Sequence, residues 1–562
     1  MSTVIVGAHW GVGLGAAAFW RDGQLVFATA EERLSRVKGS RCCPVQALEA
    51  GLAALGIAAA EVARWVVAGP MALGADPVWH AWCARQGIAP TSIFQVPLQD
   101  AQWAQAWGLS PHDEAAVWCS EPHARAGGGE RGRWGWQRRG GVPGQAERGW
   151  HEAEPGGGGL GAVYGAVTRW LGLRPESDEW RVMGAAAWGD PARHDAAWSQ
   201  ALGVGEAGAL HLTPGVWQHA EDGGLALVAQ AGERLFGPPR GAGQPWQAGH
   251  FDLAASVQAL AERHLLAGLH ALHRRTGQRA VCLSGSVMLN SLANGRAARE
   301  GPFEAVYVPF APDASGAAIG AALLGARAVG WTGRLHDRLP DGVSPCLGRR
   351  FTFEEARTAA QAAGLTCVRL DEAALLSDAV QRLVQGAVIG WFQGRSEFGP
   401  RALGARSIVA DPRVPGMQDR INRAVKFREP FRPFAPAVLA ESQAAWFMGE
   451  RQPASPYMDK VLPFRPERRA EVPAVVHRDG TGRLQTVARG QAPGRWRGLI
   501  EAFSAQTGVP MLLDTSFNVD GEPVVDSPAD AVRTMVAAGL DALFIEDLLV
   551  LPREDCGAAS RG

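Results

Sequence analysis

Residues 390–436 read GWFQGRSEFGPRALGARSIVADPRVPGMQDRINRAVKFREPFRPFAP, and this stretch decides how the carboxy-terminal half is interpreted. An apolar run ends at Phe392, after which glycines interrupt the backbone. Six of its nine cationic side chains are the candidates for this site: Arg395, Arg401, Arg406, Lys426, Arg428 and Arg432. Guanidinium groups bind phosphate oxygens in pairs, and glycine lets backbone N–H groups approach them. The stretch therefore predicts a strand followed by a site for a phosphorylated ligand.

A solvated basic face is the usual alternative for a run of charges. The phosphate site is favoured here because the cations are embedded among aromatic rings and prolines, which suit a solvated face poorly; the rings are Phe398, Phe427, Phe431 and Phe434. Lys426 stands out because the chain has only three lysines, the others being Lys38 and Lys460. A compact ammonium group reaches a phosphate as a point charge.

Two further segments carry polar side chains after apolar runs. The first, DTSFNVDGEPVV (514–525), presents Asp514, Thr515, Ser516 and Asn518 after an apolar strand. Ligands bind at the carboxyl edge of α/β sheets, although a turn capped by these side chains explains them equally well. The second, HRDGTGRLQTV (477–487), offers His477, Arg483 and Gln485, and alone predicts a hairpin.

The amino-terminal half predicts α/β structure. Strands are expected in residues 3–30, where TVIVGAHW, GAAAFW and QLVFATA surround a glycine-rich segment, and actin-like ATPase domains often begin this way. Helical periodicity at 44–62 and 252–277 alternates with short apolar runs. The Gly-, Arg- and Trp-rich segment 125–160 predicts a long loop or insertion, and helices are expected at 353–364 and 415–426.

Length and composition limit the class of protein. A chain of 562 residues is expected to form about two to four domains. A composition break at 327–350 predicts domains 1–340 and 341–562. The net charge of −1 argues against nucleic acid as a partner, and no apolar run suits a membrane span or a signal peptide. The eight cysteines form no C-x-x-C pair, so neither a zinc site nor a disulfide scaffold is indicated. Because no membrane span or signal peptide is indicated either, a soluble cytoplasmic protein is expected.

The three carboxy-terminal segments, with SPADAV (527–532), resemble the O-carbamoyltransferases that modify nodulation factors and antibiotics such as cephamycins and tobramycin. The resemblance covers residues 342–550. It implies an α/β protein with an amino-terminal actin-like ATPase domain of two subdomains and a carboxy-terminal YrdC-like domain. The implied activity joins carbamoyl phosphate and ATP, the latter with Mg²⁺, into carbamoyl-adenylate, and then carbamoylates a small-molecule acceptor.

The resemblance also assigns site residues. It implies catalytic roles for Lys426, Arg401 and Arg406. It places the following residues in binding ATP and carbamoyl phosphate: Arg395, Arg428, Arg432, His477, Arg483, Thr515, Ser516 and Asn518. The implied physical task is positioning and charge stabilisation, which suits many cations.

The amino-terminal half resembles the family more loosely, through ATAEERLSRVK (28–38), GLGAVYGAVTRWLGL (159–173), DEWRVMGAAAWGDP (178–191) and LSGSVMLNSLANGR (283–296). In the family this half holds iron through two histidines and an aspartate. Those positions fall here on Leu98, Gln102 and Ala314, and the family's His-Asp pair falls on Gly13-Leu14. Leucine and alanine offer no lone pair, so the sequence predicts that the metal is lost. A site rebuilt from Cys119, His123 and Asp313 is the less favoured interpretation.

The favoured hypothesis is a carbamoyltransferase with an intact adenylate-forming domain and a remodelled transfer domain. In this hypothesis, transfer occurs without metal and the expected acceptor is an amine. Alternatively, transfer occurs in a partner subunit, which is a second copy of this chain or an active paralogue. The alternative hypothesis is a non-catalytic scaffold or regulatory partner of an active carbamoyltransferase. Modification of tRNA is a third option, disfavoured by the near-zero charge.

Overall fold

The computed structural model describes residues 2–69, 76–121, 159–205, 210–333, 335, 344–429, 431–451, 453–490 and 493–552, together with the strand backbones at 133–138 and 149–150.

The first sheet is built from the first hundred residues. Its five strands are β1 (Val4–His9), β2 (Ala16–Arg21), β3 (Gln24–Ala30), β4 (Arg64–Ala68) and β5 (Ile93–Val96). Their spatial order is β3-β2-β1-β4-β5. The pairs β3–β2 and β2–β1 are antiparallel, whereas β1–β4 and β4–β5 are parallel. The three strands expected within residues 3–30 are confirmed.

A second sheet repeats this topology. Its strands are β6 (Glu114–Cys119), β7 (Arg133–Arg138), β8 (Gly149–Trp150), β13 (Ala280–Ser284) and β14 (Ala305–Tyr307), in the order β14-β13-β6-β7-β8. Again three antiparallel strands continue into two parallel ones. Two small hairpins lie between β8 and β13 in sequence: β9 (Leu202–Val204) with β10 (Leu210–Leu212), and β11 (Trp217–His219) with β12 (Leu225–Leu227).

Two copies of one five-stranded topology are the hallmark of the actin-like fold, so this part of the fold prediction is confirmed. Helices α4 (Leu98–Leu109) and α11 (Ala317–Ala328) pack against each other, and α11 also packs on β1. Glycines permit this packing: a Cβ on Gly320 would lie 1.7 Å from the carbonyl oxygen of Ala101. The sequence shows no repeat, but the strand order does.

The carboxy-terminal part forms one nine-stranded mixed sheet. Its strands are β15 (Thr366–Arg369), β16 (Ile389–Phe392), β17 (Arg406–Ala410), β18 (Ala435–Leu439), β19 (Lys460–Pro463), β20 (Thr481–Val487), β21 (Met511–Ser516), β22 (Ala542–Ile545) and β23 (Leu548–Leu551). The order is β15-β23-β22-β16-β17-β21-β18-β20-β19. The pairs β16–β22 and β18–β20 are parallel. This sheet, with helices packed on it, confirms the second α/β unit.

The remaining helices surround the three sheets. Those of the first part are α1 (Glu31–Ser35), α2 (Val45–Leu55), α3 (Pro77–Arg85), α5 (Leu160–Trp170), α6 (Glu179–Ala185), α7 (Asp195–Ala201), α8 (Ala229–Phe236), α9 (Ala248–Thr276) and α10 (Ser291–Glu300). Those of the second part are α12 (Phe353–Ala362), α13 (Glu372–Val384), α14 (Met417–Arg420), α15 (Gln443–Trp446), α16 (Gly494–Thr507) and α17 (Pro528–Ala538).

Two expectations about secondary structure need correction. The segment 125–160 is not wholly a loop, because β7 and β8 lie within it and extend the second sheet. The helix expected at 415–426 is α-helical only over Met417–Arg420, and residues Ile421–Val425 form a wider π-helical turn.

The boundary expected at residue 340 stays a prediction, because residues 336–343 lie outside the described ranges. The hydrophobic core beneath β1 also includes Leu347, Phe398 and Ala435, so the two parts share a core. No helix in the described ranges combines the length and the apolar character that crossing a bilayer requires.

Candidate functional site

Three neighbouring strands of the nine-stranded sheet bring the predicted polar segments together. Strand β18 lies between β20 and β21, which carry Arg483 and Asp514. The loop that leads into β18 carries Lys426, Arg428 and Arg432. Segments whose cited residues lie 31 to 88 positions apart in sequence therefore meet at one place on the sheet.

Lys426 lies at the base of this site and is 3% exposed. Its ammonium group donates to the backbone oxygen of Asn518 at 2.8 Å, to Asn518 Oδ1 at 3.0 Å and to the backbone oxygen of Ser516. Ser516 Oγ donates to Asn518 Oδ1 at 2.6 Å. The structure thus brings together three predicted residues, and Lys426 holds the turn that contains Ser516 and Asn518.

The guanidinium groups of Arg428 and Arg432 lie within electrostatic reach of the lysine. We call Lys426 with Arg401, Arg428, Arg432 and Arg483 the cation cluster. Burial lowers the pKa of Arg483, and the positive charges of Arg401, Arg428 and Arg432 lower it further. Burial likewise lowers the pKa of Lys426, and Arg428 and Arg432 add to this effect. These mutual effects mean that the members lie within electrostatic reach of one another.

Hydrogen bonds and aromatic rings hold the arginines in place. Arg428 Nε donates to Asn422 Oδ1 at 2.6 Å, and its guanidinium carbon lies 4.7 Å from the centre of the Phe434 ring. Arg432 stacks on Trp180, with 3.6 Å between its guanidinium carbon and the ring centre. A guanidinium group stacked on a ring keeps its charge and its in-plane donors available.

Asp514 is the buried carboxylate of the site, and sequence reasoning did not assign it a role. It is 1% exposed and lies within electrostatic reach of Arg483 and Lys426. Burial raises the pKa of this carboxyl group well above its usual range, and those two cations oppose the rise. The sequence signal was its place at the head of the DTSFN segment.

Lys38 is a second residue that sequence reasoning left unassigned. Its charge contributes to lowering the pKa of Lys426, although Lys38 belongs to the amino-terminal half. The scarcity of lysine in this chain was the available signal.

The amino-terminal half supplies one wall of the site. Arg401 Nη2 donates to the backbone oxygen of Leu289 at 3.1 Å. Arg181 forms an ion pair with Glu429, next to the loop that carries the cluster. With Trp180 on Arg432, these contacts place the cation cluster at the junction of the two halves.

Arg395 and Arg406 are not members of this cluster, and their predicted roles in binding and catalysis stay predictions. Arg395 donates to the backbone oxygens of Val26, Leu347 and Gly348 at 2.6–2.9 Å. Arg406 is fully buried, donates to four backbone oxygens and lies 3.5 Å over the Phe392 ring. Both guanidinium groups therefore fix loops rather than face the cluster.

The glycine-rich loop also differs from expectation, because several of its backbone N–H groups already donate hydrogen bonds to a carboxylate of the protein. Glu397 Oε1 accepts from the backbone N–H groups of Leu403, Ala405 and Arg406 at 2.9, 2.7 and 3.0 Å. These donors are not offered to a phosphate, so the predicted phosphate site depends on side chains.

Thr515 and His477 have different positions relative to the cluster. Side chains alternate along a strand, so Thr515 points to the opposite face of β21 from Asp514 and Ser516, and its predicted role in binding stays a prediction. His477 accompanies Arg483 at the start of the β20 segment, and its Nδ1 lies 3.2 Å from Thr481 Oγ1. Burial lowers the pKa of His477 to about 4, so the ring is neutral at physiological pH.

The positions onto which the iron ligands fall lie elsewhere, in the amino-terminal half. Leu98 and Gln102 occupy α4, and Ala314 precedes α11. Asp313 belongs to the less favoured rebuilt metal site. Its carboxylate caps the turn that follows it and accepts a hydrogen bond from the Ser315 N–H at 2.9 Å. His123 lies outside the described residues. The donor set does not suit a transition metal, since two of the three side chains are hydrocarbon.

Comparison with known families decides what kind of protein carries this site. The model described as "Carbamoyltransferase N-terminus" matches residues 140–323, and "Carbamoyltransferase C-terminus" matches residues 380–551. The chain belongs to the carbamoyltransferase family. The second match contains every member of the cation cluster, and the family resemblance expected from the sequence is confirmed.

Individual proteins are also similar to this chain. Nodulation protein NolNO of Sinorhizobium fredii is 33% identical, over 96% of this chain and 79% of its own length. An uncharacterised protein of Synechocystis is 33% identical over 95% of this chain and 94% of its own length. Among solved structures, HypF of T. kodakarensis is 12% identical, covering 58% of this chain and 48% of its own, with a TM-score of 0.32.

The charge balance of the cluster predicts pH-dependent anion binding. Burial and the charge of Arg428 lower the pKa of Lys426, and a bound anion raises it again. Binding of pyrophosphate should therefore take up protons, and its affinity should fall as pH rises. Calorimetry in buffers of different ionisation enthalpy measures the uptake. Lys426→Arg is the matched control, because it keeps the positive charge with a more basic group and leaves the titration of the ligand and of the other cluster members unchanged. Identical pH profiles for the two proteins would contradict the prediction.

Proposed function

We propose that this protein is a carbamoyltransferase that uses carbamoyl phosphate and ATP, through a carbamoyl-adenylate, to carbamoylate a small-molecule acceptor. One observation carries the proposal: five positive side chains come together at the junction of the two halves, with the buried Asp514 facing Arg483 and Lys426 and with Glu429 and Asp520 beside Arg432. Half-buried guanidinium groups gathered around a buried ammonium group suit phosphorylated ligands better than a structural role.

The chemistry of the first half-reaction explains the need for this charge. The bond between the carbamoyl group and its phosphate breaks with water, which gives carbamate and inorganic phosphate. A carbamate oxygen then attacks the α-phosphorus of ATP, and pyrophosphate leaves. Both steps release a polyanion, and fixed cations stabilise the charge that develops on the leaving oxygens.

The residues divide this work by position. We assign Arg483, Arg401 and Lys426 to the phosphate groups nearest Asp514. The charge of Arg483 interacts with those of Arg401 and Asp514, and the charge of Lys426 interacts with that of Asp514. Arg428 and Arg432, fixed by Phe434 and Trp180, face the same anions from the loop. Mg²⁺ with ATP would neutralise further phosphate charge, as in other phosphoryl-transfer enzymes.

The second half-reaction breaks the bond between the carbamoyl carbon and the adenylate oxygen. The acceptor attacks that carbon, and AMP leaves. The cation cluster lies where the amino-terminal half meets the carboxy-terminal half, with Arg401 donating to Leu289 of the LSGSVMLN segment. A carbamoyl-adenylate formed there lies next to the half that would carry out transfer.

Pyrophosphate release in the absence of acceptor tests the first half-reaction. The wild-type protein should release pyrophosphate only when both ATP and carbamoyl phosphate are present. Lys426→Ala should lower the rate by about a hundredfold or more, because a buried charge that faces the reacting phosphates is lost. An enzyme-coupled pyrophosphate assay measures both rates.

Arg420→Ala is the matched control for this experiment. Arg420 is the last residue of α14 and lies six residues before Lys426. Its side chain is exposed and forms an ion pair with Asp541, so the rate should be unchanged. Release that is independent of carbamoyl phosphate, or equal in the wild-type and Lys426→Ala proteins, would contradict the proposed reaction.

A scaffold or regulatory partner of an active carbamoyltransferase is the second candidate function. The observation that favours it is the replacement of the family's iron ligands by Leu98, Gln102 and Ala314. It competes poorly with the intact cation cluster, which a non-catalytic protein has no need to keep. ATP binding without pyrophosphate release would favour the scaffold.

The same replacement predicts the type of acceptor. Carbamoyl-adenylate is a mixed anhydride that an amine attacks unaided, whereas a hydroxyl group needs activation of the kind that a metal supplies. We therefore expect amines to be carbamoylated faster than matched alcohols, with AMP as the co-product. Product analysis with a paired amino and hydroxy analogue measures this. Carbamoylation of the alcohol alone would contradict the expectation.

A further inference from the structure

Helix α4 presents the two positions that the family uses for histidine ligands. Leu98 and Gln102 are four residues apart on this helix, so their side chains lie on one face. Leu98 packs against the hydrophobic core that also contains Ala311 and Ala317. The i, i+4 spacing needed for two metal ligands is kept, but the first position has become part of the core.

Gln102 is engaged at both ends of its amide. It is fully buried, and its Nε2 donates to Glu121 Oε1. Its Oε1 accepts from Cys119 Sγ at 3.2 Å. Glu121 Oε1 also accepts from the backbone N–H of Ser286 at 3.0 Å. We call Gln102, Cys119, Glu121 and Ser286 the amide network.

The amide network is enclosed and joins three elements. Cys119 is 1% exposed and Glu121 is 6% exposed. Gln102 belongs to α4, Cys119 ends β6, and Ser286 begins the turn after β13. A glutamine amide can donate and accept at once, which is what this position requires between a carboxylate and a thiol.

The third family position is closed by packing. Ala314 is 1% exposed, and a Cβ placed on Gly13 would lie 2.8 Å from the Ala314 Cβ. The backbone at Gly13 therefore lies directly against the methyl group. Within the described ranges, no group of three His, Cys, Asp or Glu side chains is placed to hold a metal ion.

We propose that the amide network has replaced the metal of this family: Gln102, Cys119 and Glu121 join α4, β6 and the turn at Ser286 by hydrogen bonds, at the place where the family uses a bound ion. The inference concerns metal content and stability, so it stands or falls independently of the proposed reaction. It assigns Gln102 a structural role at a position that is a ligand in the family.

Metal content and chelator sensitivity test the first part. The purified, tag-free protein is dialysed anaerobically with Fe²⁺, Zn²⁺ or Mn²⁺, desalted and analysed by elemental mass spectrometry. We expect far less than one equivalent of each metal, and no change in the unfolding temperature when a chelator is added. A stoichiometric metal whose removal lowers the unfolding temperature, including one bound through His123, would overturn the proposal.

Substitution of Gln102 tests the second part. Gln102→Leu leaves the Glu121 carboxylate buried without its amide donor, so the unfolding temperature should fall by several degrees, with or without chelator. Gln200→Leu, the same change at an exposed site on α7, should have little effect. If Gln102→Leu does not fold, Cys119→Ala removes the weaker bond to the Gln102 amide oxygen and should give a smaller fall. Equal unfolding temperatures for wild type and these network variants would overturn the structural role.

Discussion

Repulsion between closely placed positive charges is the constraint on which the cation cluster depends. Arg483 lies within reach of the charges of Arg401, Arg428 and Arg432, and the buried Lys426 lies within reach of Arg428 and Arg432. Holding like charges together in a poorly solvated place costs free energy unless an anion joins them. The fold offsets this cost with carboxylates, rings and neutral oxygens, such as Glu429 and the Trp180 ring beside Arg432 and the Asn518 oxygens on Lys426. A site maintained at such a cost is best explained by a phosphorylated ligand.

The two halves of the chain complete each other at that site. The amino-terminal half contributes Trp180 and the Arg181–Glu429 ion pair, while the carboxy-terminal half supplies the cations. Arg36 extends the contact by donating to the backbone oxygens of Val524 and Pro523 at 2.7 and 2.9 Å. The shared core beneath β1 fixes the relative position of the halves. One half is therefore not expected to bind the ligands with full affinity without the other.

Sequence reasoning predicted the fold class and part of the site, and the failures have physical causes. Lys426, Ser516 and Asn518 could be predicted because each stands in a polar segment after an apolar strand, and β18 and β21 are neighbours in the sheet. The contacts of Arg395 and Arg406 could not be predicted, because the sequence does not show which arginines donate to backbone oxygens. The repeated sheet topology was missed because β7 and β8 lie in a Gly- and Arg-rich segment without apolar periodicity. The role of Glu397 depends on loop closure, which no local pattern encodes.

A crystal structure with a non-hydrolysable ATP analogue tests the central claim most directly, because it shows which half of the chain holds the nucleotide. The account predicts the triphosphate among Arg401, Arg428, Arg432 and Arg483, with Lys426 within hydrogen-bonding distance of a phosphate oxygen. A nucleotide bound only in the actin-like half, between the two five-stranded sheets, with the cation cluster unchanged, would contradict it.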